Sequence, residues 1–299
     1  MRRLLLILPL LAAPASVHAQ LPGGRVINAD EVRTEFLLRM RMEVAGFLRT
    51  WDSTFHRDAR IQPQALYLKD AVVLPPGGSF ITGEAVVRDW LQSVRTQVRD
   101  AATSMIDHDA SDAIAFVYSP YSFSARDGSG TLNGGVQLSV LLKERQDWQV
   151  RAQLFMPSDS TRPLATPKVP PLPIYQLPRD ADQTTRARYD RAIATFAALR
   201  TGWAEGRLAA DLLSGEFLLR APGEETALHG DTAVTHLQTR IRQLGQLQTA
   251  TVDFATRGRL SYLMGRYYVT TTTGPRTGSF IVILADEERA QRVRALLFT

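Results

Sequence analysis

The chain of 299 residues contains no cysteine. That excludes a disulfide framework, a lipid-accepting cysteine behind a leader, and a zinc site built on thiolates. Lysine is scarce as well, since only 3 of the 35 basic residues are Lys and the rest are Arg. These arginines form no run, and the net charge of +5 falls to +3 without Arg2 and Arg3. Neither feature is the footprint of a nucleic-acid partner. Beyond the first twenty residues no apolar stretch approaches the roughly 20 residues a spanning helix needs, so no membrane association is expected after the leader is removed. The 5 histidines are scattered and show no His-Glu-x-x-His spacing, so no metal is expected. Gly128-Ser129-Gly130 has the wrong spacing for a dinucleotide loop or a nucleophile elbow, so no cofactor is expected. What remains is 44% hydrophobic and 22% charged, the composition of a globular protein with room for two domains.

Residues 1–19 have the three parts of a signal peptide. Arg2 and Arg3 make a basic start, Leu4 to Ala13 an apolar core, and Val17-His18-Ala19 a small-x-small cleavage site before Gln20. A periplasmic or secreted protein is the expectation. An internal repeat sets the organisation of the rest. Val150-Arg151-Ala152-Gln153-Leu154-Phe155 recurs as Val293-Arg294-Ala295-Leu296-Leu297-Phe298, and Leu48-Arg49-Thr50-Trp51 as Leu199-Arg200-Thr201-Gly202-Trp203. Gly83-Glu84-Ala85-Val86 answers to Gly230-Asp231-Thr232-Ala233-Val234. Order and spacing are kept at a period far above that of solenoid repeats, which reads as tandem domains. The expected boundaries are 26–156 and 181–299. Between them, 157–180 is a linker carrying seven of the 16 prolines, which should be extended and stiff.

Each copy reads as helices followed by strands. Asn28 with Glu31 is a capping box opening a helix whose stripe runs through Phe36, Met40, Val44, Phe47, Leu48, Trp51 and Phe55. Pro63 begins a short second helix, Ala71 to Leu74 is a strand, and Thr82 caps a third helix carrying Val87, Trp90, Leu91 and Val94. Strands follow over 113–125, 135–143 and 148–156. Even positions of the last two are apolar (Val136, Leu138, Val140, then Val150, Ala152, Leu154), and this face is expected to lie under the helices. Leu141 and Phe155, on the opposite parity, would then suit a contact between the two sheets.

This order resembles the nuclear-transport-factor-2-like (NTF2-like), or SnoaL-like, superfamily. The residues carrying the resemblance are Trp51 with Asp58, Leu66-Tyr67-Leu68-Lys69-Asp70-Ala71-Val72, Pro76-Gly77, Gly83-Glu84-Ala85-Val86, Ala115 to Tyr121 and Trp148-Gln149-Val150. In the second copy they are Trp203, Gly206, Glu216, Pro222-Gly223, Gly230, Ala233 and Tyr267. The resemblance implies an α+β fold: two tandem cone-shaped domains, each with three helices packed on a curved antiparallel sheet. It also implies a mostly apolar pocket in each cone, lined here by Trp51, Tyr67, Trp90, Tyr118, Tyr121, Trp203, Tyr262 and Tyr267. Members commonly pair through the outer sheet face, so an intramolecular pairing of the two domains through their sheets is implied.

Enzymes and binding modules both occur in this superfamily, and fold alone does not choose between them. The isomerase pattern fails on this sequence. Its base position falls on Pro75 and Ala221, its helix tyrosine near Thr50 and Leu199, and its late-strand acid among Gln137, Leu138 and Ser139. A dehydratase-like arrangement needs a histidine with a carboxylate. Asp52 and His56 stand four apart on the first helix, and His108 shares strand parity with Ile106, so Asp52, His56 and His108 are the catalytic candidates. In the second copy only Glu205 and Tyr262 come near the pocket. The sequence therefore reads as a protein that binds a small apolar molecule or serves as an interaction module. A cofactor-independent lyase or hydrolase using Asp52, His56 and His108 is the alternative.

Overall fold

The computed structural model describes residues 29–111, 113–158, 164–287 and 290–299, and side chains from residue 34 onward. The expected signal peptide and the Asn28–Glu31 capping box lie outside what it describes. The chain divides into a unit up to Met40 and a compact body from Arg41 to Thr299. In the first unit, the opening turns of helix α1 (Ala29–Ser53) expose Leu38 and set Arg39 over the Phe36 ring. No helix among the described residues is long and apolar enough to cross a membrane.

The body holds two sheets of one topology. Its first half contributes β1 (Tyr67–Leu74), β2 (Ile81–Thr82), α2 (Glu84–Gln97), β3 (Val98–Thr103), β4 (Asp107–Ser111), β5 (Ile114–Ala125), β6 (Thr131–Glu144) and β7 (Asp147–Pro157). These strands run in the order β2-β1-β7-β6-β5-β3, with β4 also on β5. The second half contributes α3 (Gln183–Ala204), β8 (Leu213–Arg220), β9 (Leu228–His229), α4 (Gly230–Ile241), β10 (Leu244–Arg257), β11 (Leu260–Thr271), β12 (Gly274–Glu287) and β13 (Ala290–Phe298). Their order, β9-β8-β13-β12-β11-β10, repeats the first.

Four expectations are corrected. The sheets are mixed, because β1 pairs parallel with β7 and β8 with β13. The second helix of the first domain is a single 3-10 turn, Pro63–Leu66. The second domain has only α3 and α4, since eight residues join α3 to β8 where thirteen join α1 to β1. Thr82 does not cap α2; the cap is Gly83 at φ 88°, and the Thr82 hydroxyl donates to the Ala71 carbonyl instead.

One difference between the copies has a local cause. β10 is continuous, whereas its counterpart is broken between Thr103 and Asp107. The Tyr118 carbonyl accepts from the Ile106 N–H, so the even residues of β5 direct their backbone groups toward this edge. Pro120 has no N–H to offer there, and the ladder breaks opposite it. β11 contains no proline.

The faces are the reverse of the expected ones. Leu138, Val140, Ala152, Leu154 and Met156 do not lie under the helices; they share one buried cluster with Tyr262, Met264, Ile281, Ile283, Ala295 and Leu297 of the other sheet. The odd positions face the helices: Phe155 packs on Trp51 and Trp90, with ring centroids 6.4 and 5.8 Å apart. The drier face of each sheet thus covers the other sheet, a sandwich sealed by apolar side chains. A period of two shows which face is more apolar but not what covers it. The linker is docked over the second domain. The Tyr175 N–H donates to Thr251 O at 2.8 Å, and Arg266 donates to the Leu172 carbonyl at 2.8 Å.

Candidate functional site

The interior of the first cone is occupied by its own side chains. Trp51 meets Phe55 edge-on at 4.8 Å, and Phe123 lies 6.0 Å away. Tyr121 packs on Phe155 at 5.0 Å and 84°. Trp51, Trp90, Tyr121, Phe55, Phe123 and Phe155 are each no more than 3% exposed, so their rings line no water-sized space of any extent. A chain of polar groups completes the interior. Trp51 donates to the Tyr67 hydroxyl at 3.0 Å, and that hydroxyl donates to Gln153 at 2.5 Å. Gln153 in turn donates to Gln137 Oε1 at 3.0 Å and Ser139 Oγ at 3.1 Å. Burial pushes the Tyr67 hydroxyl well above its ordinary range. It is therefore a neutral donor fixed in a satisfied network, which specifies packing and offers no free proton acceptor. Gln137, Ser139 and Gln153 alternate with the apolar positions of β6 and β7, and that alternation is the sequence signal of a polar network beneath the helices.

The second cone repeats the aromatic geometry without that chain. Trp203 packs on Phe298 at 5.9 Å, and Tyr267 on Phe298 at 4.9 Å and 84°. In both copies a glycine stands across from the tyrosine, Gly135 opposite Tyr121 and Gly278 opposite Tyr267. A Cβ on Gly135 would come 2.3 Å from the Met156 carbonyl oxygen, and one on Gly278 would come 2.5 Å from that of Thr299.

The pocket residues are thus placed in three settings. Trp51, Tyr67, Trp90 and Tyr121 fill the first cone, and Trp203 and Tyr267 the second. Tyr118 and Tyr262 lie between the sheets, a correction for both. There Tyr262 donates to the Asp253 carboxylate, which Arg151 meets at 2.6 Å. Burial works against the Arg151 cation, but the facing carboxylates of Asp253 and Asp70 outweigh it and hold the guanidinium above its ordinary range. The repeat supplies the reciprocal contact. Arg294, the counterpart of Arg151, crosses to Asp107 at 2.8 Å with Asp109 at 4.0 Å, and Asp109 also pairs with Arg259. The equivalent arginines, Arg151 and Arg294, each cross to an acid of the other half, the reciprocity of an isologous contact, and Arg259 adds a further pair from the second half. The conserved spelling Val-Arg-Ala in both halves was its sequence signal.

The catalytic candidates are not assembled. Asp52 accepts from Thr103 N at 3.1 Å and from Thr103 Oγ1 at 3.0 Å. Burial raises its pKa to about 6, against the pull of those bonds and of His56. His56 lies beyond the end of α1 with its side chain 55% exposed, and its Nδ1 is 3.1 Å from Asp100. His108 sits on β4 paired to Val117. Burial lowers its pKa, opposed by Asp107, whose carboxylate is held by Arg294. The i, i+4 spacing of Asp52 and His56 brought no hydrogen bond because the helix ends between them at Ser53.

Four clefts among the described residues open at the surface of the body. One of about 860 Å³ lies between α1, the 3-10 turn and the β6–β7 hairpin, with Lys143 and Trp148 both donating to Glu43 Oε2 on its wall. A cleft of about 510 Å³ beside α3 includes Glu205 and Arg207. A third, about 410 Å³, joins Phe80, Leu172 and Arg266, and Tyr267 of the expected pocket set reaches it. A fourth lies at the ends of α1 and α2.

No family model matches the chain, and no curated protein matches it. Solved structures do. A protein of unknown function with a cystatin-like fold from Nostoc punctiforme is similar over 40% of this chain and 92% of its own, at 10% identity and a TM-score of 0.36. An NTF2-like protein of unknown function from Shewanella oneidensis is similar over 38% and 97%, at 13% identity and 0.33. A ketosteroid isomerase-like protein from Erwinia carotovora is similar over 40% and 94%, at 21% and 0.32. Within the chain, the two sheets of like strand order are the tandem copies.

Proposed function

We propose that the protein is an exported, non-enzymatic interaction module: two NTF2-like cones sealed back to back, working through their outer surfaces. The observation that carries this reading is the closed interior of the first cone, where Trp51, Phe55, Tyr121, Phe123 and Phe155 occupy the space an apolar ligand would need. Tyr67, Gln153, Gln137 and Ser139 are paired to one another there, and the buried Trp90 indole N–H is the polar group of those rings left without a partner. Export to the periplasm or medium rests on the basic, apolar and small-residue segments of 1–19. Native mass spectrometry of the full protein, recovered from the extracytoplasmic fraction, tests both parts. The expected mass is that of the chain beginning at Gln20 with no adduct. A stoichiometric apolar adduct would refute the closed interior, and recovery of the uncleaved chain in the cytoplasm would refute export.

A lyase or hydrolase is the second reading, favoured by one observation. The Asp52 carboxyl, held near pKa 6, is poised for proton transfer close to neutrality. Loss of any measured turnover in Asp52→Asn, with melting no lower than the parent's, would support it.

A further inference from the structure

We propose that the cleft at the ends of α1 and α2 binds a small molecule through an oxyanion group, a phosphate or a carboxylate. The cleft is an open depression of about 530 Å³ lined by Arg57, Gln62, Gln92, Arg95, Thr96 and Arg126, most of them exposed. Three cations and no carboxylate converge on one concavity. Two of the guanidiniums are held in place by neutral groups. Arg95 donates to Gln62 Oε1 and, at 3.2 Å each, to the carbonyls of His56 and Arg57. Arg126 donates to the carbonyls of Arg95 at 2.9 Å and Val98 at 2.7 Å, closing the end of α2. Carbonyl dipoles orient a guanidinium without cancelling its charge, so both keep their attraction for an anion and have already lost the rotamer freedom that binding would cost.

The neighbouring acid is committed elsewhere. Asp100 is met by Arg99 Nε at 2.6 Å and His56 Nδ1 at 3.1 Å. The Arg57 side chain makes no hydrogen bond or ion pair among the described residues, its carbonyl alone accepting from Arg95, which leaves its guanidinium free to close on a ligand. With its Oε1 engaged by Arg95, Gln62 has its amide N–H groups left to donate. Fixed guanidiniums in a concave wall recognise planar or tetrahedral oxyanions by paired N–H donors, and like charges brought together without a counter-ion repel until one arrives. The volume exceeds that of a bare phosphate and falls in the range of small-molecule sites.

The test is isothermal titration of the full chain with inorganic phosphate and with citrate, each against sodium chloride at equal ionic strength. Arg57→Glu is the informative variant, because that side chain supports nothing else in the fold. Arg179→Glu, an exposed site on the linker, is the control. Saturable binding of one anion per chain is expected, weakened about tenfold or more in Arg57→Glu and unchanged in Arg179→Glu, with both variants melting as the parent does. Absence of saturation by roughly 10 mM, a range that still registers weak sites, would overturn the proposal. So would equal binding by Arg57→Glu. Binding of a hexaglutamate peptide when neither small anion binds would also overturn it, in favour of an acidic peptide partner.

Discussion

Replacing Arg151 by Met should be among the most damaging single changes in the protein. Arg151 lies 2.6 Å from Asp253, whose side chain is 4% exposed. At an effective dielectric near 20, unit charges at that separation attract by about 6 kcal/mol, and desolvation of the two ions takes back most of it. Truncation removes the attraction but leaves Asp253 buried with Tyr262 and the Phe254 N–H as neutral donors, which costs about 3–5 kcal/mol. Removing Asp253 as well, as Asp253→Leu, abolishes the stranded charge, so the double variant should recover most of the loss. The reciprocal change, Arg294→Met, should cost less, about 2 kcal/mol. Asp109 keeps Arg259, and Asp107 is 14% exposed with His229 3.9 Å away. Urea unfolding of the full chain, completed as a double-mutant cycle, measures all three. Strict additivity of Arg151→Met and Asp253→Leu, or a loss under 1 kcal/mol for Arg151→Met, would refute the crossed pairing.

Three further outcomes follow from the packing and the one near-neutral acid. Phe155→Ala should lose about 3–5 kcal/mol and open a dry space in the first cone, so that added indole raises its melting temperature but not the parent's; equal response of both would count against a filled cone. Gly135→Ala should cost at least 2 kcal/mol by forcing a Cβ against the Met156 carbonyl, and an unchanged thermal midpoint would contradict that contact. Asp52 has a folded pKa near 6 against an ordinary value of 3.8. Folding therefore favours its protonated form, and the stability it lends is full below pH 4 and lost as pH rises through 6. Allowing for its partial exposure, the loss is about 1 kcal/mol. Asp52→Asn should accordingly gain on the parent by that amount between pH 4 and pH 7 in parallel denaturation series, and a gap that stays constant would refute the shift.

The duplication and the order of helices and strands could be read from sequence because they rest on local signals. Val-Arg-Ala recurs, Trp51 recurs as Trp203, and proline marks the joint. What escaped reading was set by partners distant in the chain. Alternation in β6 and β7 identified an apolar face but not its cover, so Phe155 was assigned outward and Leu154 inward. The parallel pairing of β1 with β7 joins residues some eighty positions apart, which no local pattern encodes. Asp52 and His56 had the spacing of a helical couple, but α1 ends between them and Thr103 and Asp100 take one each. The arginine cleft escaped for the same reason, since Arg57, Arg95 and Arg126 come from three separate elements.

The crossed arginines and the apolar seam between the sheets lie within a single polypeptide. Two separate chains meeting through such faces would part company on dilution, because their association depends on how often they collide. Here the tether makes docking a first-order event, and the local concentration of one half around the other is fixed by the length of the joint. The assembly should therefore keep its shape at any abundance the cell produces.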